Sequence, residues 1–387
     1  MSDILSASEQ DAPTFFRNSA VDGLHIRPAT LADDQKLVAL IAESMPSNGV
    51  LLSFERRPSY FKATHTQYDH PEAMLIASDD NPDHILGMFN IGTRACFING
   101  EIKPLRYVGD LRINKTQRGK GFVQLMMLFI KASYPATEIL QAVFLNDNLV
   151  AKKVLCENRP GVPRHHFSDQ VETYTLTGFK NKKELNRELG FTALTAADVP
   201  AVNRFIARMA DYYNFLPAYN FNDLIQQTPY WNGLQLNDFT VVKRGGQIVG
   251  LFGLWDQKPF KQTRIADYGQ LIALARPMYN TWAKLTSQLI LPAKGNTVNY
   301  LMLHSLLCNP YDVDLHENML RKAYQQATDR KCYAICFTLA QRDPRRDCSK
   351  LFISRKVQAI HAFHSFEGNP LAQFDPKRIS YLECGRI

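Results

Sequence analysis

The chain has 387 residues, 45% of them hydrophobic, and a formal charge of +8. That length exceeds one ordinary core and suits two domains, while the charge favours an anionic partner without separating nucleic acid, membrane surface and phosphorylated small molecules. Seven scattered cysteines (Cys96, Cys156, Cys308, Cys332, Cys336, Cys348, Cys384) form no CxxC pair, which argues against a disulfide framework or a zinc site and for a cytoplasmic protein with reduced thiols.

Residues 1–23 read as an amino-terminal arm. The opening "MSDILSASEQDAPTFF" carries acids and no basic stretch leading into an apolar core, so it is not read as a signal peptide. No apolar run approaches the roughly 18 residues that a membrane helix needs, so no membrane partner is expected.

From residue 26 the chain reads as strand then helix, "IRPATLADDQKLVALI", with Thr30 or Asp33 as the helix cap. This stretch is echoed at 191–206 by "FTALTAADVPAVNRFI", with Thr195 or Asp198 in the same place. "ILGMFNIG" (85–92) returns as "IVGLFGLW" (248–255), and "LQAVFLND" (140–147) returns more weakly as "YAICFTLA" (333–340). Three echoes in one order predict two copies of a mixed α/β fold, residues 24–180 and 181–387, joined near the lysine-rich "TGFKNKKELNRELG". The second copy carries about thirty further residues around "LIALARPMYNTWAKLTSQLILPAKGN", where an extra helix is expected.

Between the first copy's central strand, "LRYVGDLRI", and the helix "VQLMMLFIKAS" stands "QRGKGF". A strand that turns on glycines directly into a helix presents free N–H groups at the positive end of the helix dipole. Gly119 and Gly121 keep side chains away from those amides, and Arg118 and Lys120 add charge, so the corner suits a phosphate. A flexible basic turn is the plain alternative. The strand "LQAVFLN" and then "NDNLVAKKVL", where Asn148 and Ala151 open another helix, follow in an order more specific than the glycines themselves.

On these motifs the chain resembles the GCN5-related N-acetyltransferases, whose signature at this turn is Arg or Gln, two residues, Gly, one residue, then Gly or Ala. Here it stands as Arg118, Gly119, Lys120, Gly121, Phe122 and Val123, with Val123 in the place of the final small residue. Asn148 to Ala151 matches the family's later Asn-x-x-Ala, and "IRPATLADD" matches its opening. The resemblance covers roughly residues 24–178 by motif and the second copy by pattern. It implies two tandem domains, each with a mixed, mostly antiparallel central sheet flanked by helices. It also implies one acetyl-CoA as co-substrate, with no metal.

Pantetheine would lie where the fourth and fifth strands part, on the backbone of Leu111, Arg112 and Ile113. The pyrophosphate would sit on the amides of 119–123, including Phe122, and Asn148 would reach the pantetheine arm. Lys152 and Lys153 are either near the adenosine phosphate or simply solvated. The chemistry implied is acyl transfer from the thioester to a neutral primary amine of unknown identity. The tyrosine that commonly protonates the leaving thiolate is replaced by Leu155, which leaves Tyr107 or Tyr174 for that task, or none. Tyr107 falls where several relatives carry a catalytic glutamate, and its plain reading is a core residue with a satisfied hydroxyl. Asp110 and Arg112 are expected to pair unless a bulge turns one of them over.

The second copy has no glycine corner: "CNPYDVDLHENMLRKAY" puts Asp312, Asp314 and Glu317 near the helix start, which repels pyrophosphate. His361 and His364 would share a helix face without carboxylate company, so no metal is expected, and His165 and His166 read as surface residues. A non-catalytic acyl-CoA sensor is the alternative to an enzyme, and nucleic-acid binding, resting on net charge, ranks last.

Overall fold

The computed structural model describes residues 15–43, 49–114, 121–156, 161–286 and 288–387. Each half opens on the same local device. The Thr30 N–H donates to Asp33 Oδ2 at 2.9 Å, and the Thr195 N–H donates to Asp198 Oδ2 at 3.2 Å, so in each half the aspartate side chain closes a short turn, begun by the threonine, that leads into a helix. The aspartates are then fixed by cations, Asp33 by Arg27 and Asp198 by Lys243.

The first half runs β1 (Phe16–Asn18), β2 (Val21–Pro28), α1 (Asp34–Ile41), β3 (Val50–Glu55), α2 (Tyr60–Thr64), β4 (Ala73–Ser78), β5 (Ile85–Ile98), β6 (Glu101–Ile113), α3 (Phe122–Ser133), β7 (Leu140–Leu145), α4 (Leu149–Leu155) and β8 (Arg164–Phe179). The second runs β9 (Leu189–Ala193), α5 (Val199–Met209), β10 (Tyr213–Asn214), β11 (Leu216–Pro217), α6 (Phe221–Ile225), β12 (Phe239–Arg244), β13 (Gln247–Trp255), β14 (Gln262–Tyr268), α7 (Gln270–Leu285), β15 (Leu301–Cys308), α8 (Val313–Asp329), β16 (Ile335–Ala340), β17 (Phe352–Ser365) and β18 (Ile379–Ser380). The expected extra helix is α7.

The repeat extends to register. β6 and β7 are parallel neighbours at Arg106↔Leu140, Tyr107↔Gln141 and Val108↔Ala142, and β15 and β16 pair in parallel at Leu301↔Ile335 and Met302↔Cys336. Each central strand then carries one extra residue against its antiparallel partner. The bulge residues, Asp110 and Ser305, have φ of 52° and 50°.

The halves share one continuous sheet, ordered β1-β2-β4-β5-β6-β7-β17-β8-β16-β15-β13-β12-β9, with β11 added on β5. The closing strands are exchanged: β17 of the second half lies against β7, and β8 of the first lies against β16. His361 and His364 therefore stand on the central strand β17, not on a helix as the sequence suggested. A strand covered on both faces lacks the clean alternation that separates strand from helix.

This seam buries polar groups that set an acid limit. Arg94 donates to Gln141 Oε1 at 2.6 Å, so the Gln141 amide must donate to His361 Nε2 at 2.8 Å, which requires that nitrogen to be unprotonated. Burial, with Arg94 and then Arg342 adding to it, holds the His361 pKa down at about 3, and burial holds His364 at about 4. Both sit below the unfolded value of about 6.5, so their stabilisation is complete above that pH and is lost as the pH falls toward 4 and 3. Denaturation is expected to ease from pH 6.5 downward, with His361 accounting for a loss of about 2 kcal/mol by pH 5. Urea midpoints recorded between pH 7.5 and 5 check this, and a flat profile would contradict it.

Candidate active site

The gap between β6 and β7 begins after Val108, where their pairing ends. Asn114 donates to Leu86 O at 2.9 Å, so strand alternation turns the peptide groups of Leu111 and Ile113 toward the opposite edge, where no strand pairs with them among the described residues. Arg112 Nη1 donates to Leu111 O at 2.9 Å, and burial, against the opposing influence of Asp110, lowers its pKa. The expected Asp110–Arg112 pair is not what forms. The bulge turns Asp110 toward Arg56, at 3.3 Å, and Tyr60, whose O–H donates at 3.1 Å. The extra residue reverses the facing of the strand, which a regular alternation does not anticipate.

Tyr107 stands at the mouth of the gap, 4% exposed. Its ring lies under the Arg94 guanidinium at 4.7 Å and beside Tyr68, with centroids 5.7 Å apart. A side chain at position 109 would put its Cβ 2.9 Å from both the Tyr107 ring and the Tyr68 hydroxyl, so Gly109 lets the two tyrosines close over the strand. Burial pushes the Tyr107 phenol up to about 12, against the opposing influence of Arg94, which keeps it protonated at neutral pH.

Arg118, Gly119 and Lys120 lie outside the described residues. Gly121, with φ of 81°, forms the N-cap of α3, and its carbonyl accepts from Leu125 at 2.9 Å. The N–H groups of Phe122 and Val123 fall in the first turn, where no intrahelical acceptor exists. The Phe122 side chain is buried and Val123 packs on the same core. Asn148 is the cap of α4, accepting from the Ala151 N–H at 3.1 Å. At Gly121 a Cβ would meet Val21 Cγ1 at 3.0 Å in a conformation that L side chains rarely adopt, so substitution there strains the fold and is a poor probe of binding.

Several groups beside the gap carry no sequence motif: Arg56, Tyr60, Tyr68, Arg94 and Lys261. Lys261 Nζ donates to Gly385 O at 3.0 Å, and burial, with Arg56 next, depresses its pKa far below the usual lysine value. Arg56 and Tyr60 reach the gap through Asp110, which the bulge turns toward them, and backbone conformation is not written in residue type. Among the described residues no group of three His, Cys, Asp or Glu side chains is placed to hold a metal. Nor is any described helix long and apolar enough to cross a membrane.

No protein-family model matches the chain, and no curated protein matches it in sequence. Solved structures match in shape. A GCN5-related N-acetyltransferase from Sphaerobacter thermophilus aligns with a TM-score of 0.52 at 9% identity, over 90% of this chain and 97% of that one. The N-myristoyltransferase of Saccharomyces cerevisiae, solved with myristoyl-CoA bound, aligns with a TM-score of 0.58 at 10% identity, over 95% of this chain and 88% of that one. A GCN5-related glucosamine N-acetyltransferase region of a fungal multi-domain β-N-acetylglucosaminidase aligns at 0.57 and 9% identity, over 88% of this chain and 38% of that one. The likeness is one of fold. The chain has the mixed α/β fold of the GCN5-related N-acyltransferases in tandem form, as the motifs implied.

Proposed function

We propose that the protein is an acyl-CoA-dependent N-acyltransferase that uses acetyl-CoA and a primary amine, with its one working site in the first half. The parting of β6 from β7 after Val108 carries this reading, because among the described residues it leaves the β6 edge at Leu111 and Ile113 without a strand partner. Pantetheine would add to that edge through the peptide groups of Leu111 and Ile113, while Arg112 between them keeps its own backbone on β5. The pyrophosphate would meet the amides of Phe122 and Val123 with Gly119 and the charges of Arg118 and Lys120, and Asn148 would border the arm.

In the reaction the amine lone pair attacks the thioester carbon and the C–S bond breaks. A backbone N–H of β6 in the gap would bind the carbonyl oxygen as it gains charge. The departing thiolate takes a proton from the Tyr107 phenol, which the amine's released proton restores through water. Tyr107→Phe is therefore expected to lower kcat by about a hundredfold while leaving CoA affinity within about threefold. Steady-state rates and calorimetric binding measured on both proteins test it, and equal kcat values would remove Tyr107 from the chemistry. A binding-only sensor is the second reading, favoured by Leu155 in place of the family's tyrosine. CoA release from acetyl-CoA in the presence of an amine panel separates the two.

A further inference from the structure

Helix α7, 16 residues long, packs with the wrong face outward. Leu271, Leu274, Met278, Trp282 and Leu285 are 84, 82, 77, 51 and 83% exposed. They follow one another at steps of three, four, four and three residues, a single stripe along about 20 Å of helix. The opposite face carries the packing. Tyr279 Oη donates to Leu289 O at 3.0 Å, Asn280 exchanges two hydrogen bonds with Leu291, and Ala283 is buried. Among the described residues nothing covers the stripe.

The stripe is symmetric about its own centre. A two-fold axis passing beside Met278 sets Leu271 against Leu285 of a second copy, Leu274 against Trp282, and Met278 against itself. A contact between identical patches requires such self-complementarity. No acid occurs in α7, and its two cations, Arg276 and Lys284, lie off the stripe, so the axis brings no like charges together. Arg276 is turned inward, over the Tyr268 ring and toward Leu291 O. At roughly 100 Å² of apolar surface for each of these side chains, two copies would remove about 1,000 Å² from water, the size at which specific association begins. We infer that the outer face of α7 is the two-fold interface of a homodimer, formed by an antiparallel pair of α7 helices.

Sedimentation of the full chain over a concentration series tests this. The wild type is expected at twice 44.1 kDa in the micromolar range. Met278→Glu, which sets two carboxylates together at the axis, is expected to weaken the dimer more than a hundredfold at unchanged circular dichroism. Met278→Cys is expected to form a covalent dimer on mild oxidation, since the native cysteines are buried or, at Cys156, half-buried. Three results would overturn the inference. One is a wild type that stays monomeric at tens of micromolar, and another is a dimer indifferent to Met278→Glu. The third is a monomer that binds anionic vesicles through the stripe, which would make a lipid surface its occupant.

Discussion

Titration of the full chain with CoA is expected to saturate at one equivalent, and Arg118→Glu combined with Lys120→Glu is expected to abolish that binding. In the second half, β15 and β16 part after Met302, as β6 and β7 part after Val108, but the space is taken by the chain itself. The Ser305 N–H, at the bulge, donates to Glu383 Oε2 at 2.8 Å. The same oxygen accepts from Tyr219 at 3.1 Å and Tyr381 at 3.0 Å. Cys384 follows, buried, with its sulfur 3.6 Å from that of Met302 on β15.

A ligand seeking this second gap would have to expel a buried segment held by these hydrogen bonds. It would also meet a helix start where Asp312 caps α8 by accepting from Leu315 and Asp314 stands in the first turn. Each of the two charge reversals at residues 118 and 120 replaces attraction by repulsion at the pyrophosphate, so together they should weaken binding beyond a thousandfold. Isothermal calorimetry reads both numbers. Two equivalents per wild-type chain, or tight binding by the folded double variant, would defeat the one-site reading.

Arg386→Ala is expected to destabilise the protein by about 4 kcal/mol, because several buried groups depend on this one guanidinium. Its Nε donates to His304 Nε2 at 3.0 Å and its Nη1 to Thr66 O at 2.6 Å and Tyr230 O at 2.7 Å. The Tyr230 ring lies 3.7 Å from the guanidinium carbon and the Trp255 ring 4.9 Å. Burial, and then Arg386 itself, keeps His304 neutral, so His304 Nδ1–H is left to donate to Ser305 Oγ at 2.8 Å on the bulge. Truncation would leave a cavity among rings and three acceptors without their donor. Thr66 belongs to the first half and Tyr230 to the second, so both would loosen together. Urea unfolding gives the loss directly, with Arg386→Lys expected to fall between the two. A variant as stable as wild type would show that the cluster contributes no net stability.

What the sequence determined by itself was whatever depends on neighbours along the chain. Thr-x-x-Asp before an apolar-periodic run specifies a capped helix start, and it does so twice, at Thr30 and Thr195. Gly121 before "FVQLMMLFIKAS" specifies a glycine turn into a helix, and Asn148 with Ala151 specifies the start of another. The echoes between the halves disclosed the repeat, because equal structures need equal patterns of burial.

Whatever depends on strands far apart in sequence was decided only by tertiary structure. Exchange of β8 and β17 is invisible locally, since each has the same composition whichever half it completes, and it placed His361 on a strand. The bulge at Asp110 turned that residue from Arg112 to Arg56, because one extra residue in a strand reverses every facing beyond it. Filling of the second gap by Glu383 and Cys384, and the outward apolar face of α7, likewise follow from which surfaces meet after folding. An amphipathic pattern states that a face is to be buried, not what will bury it.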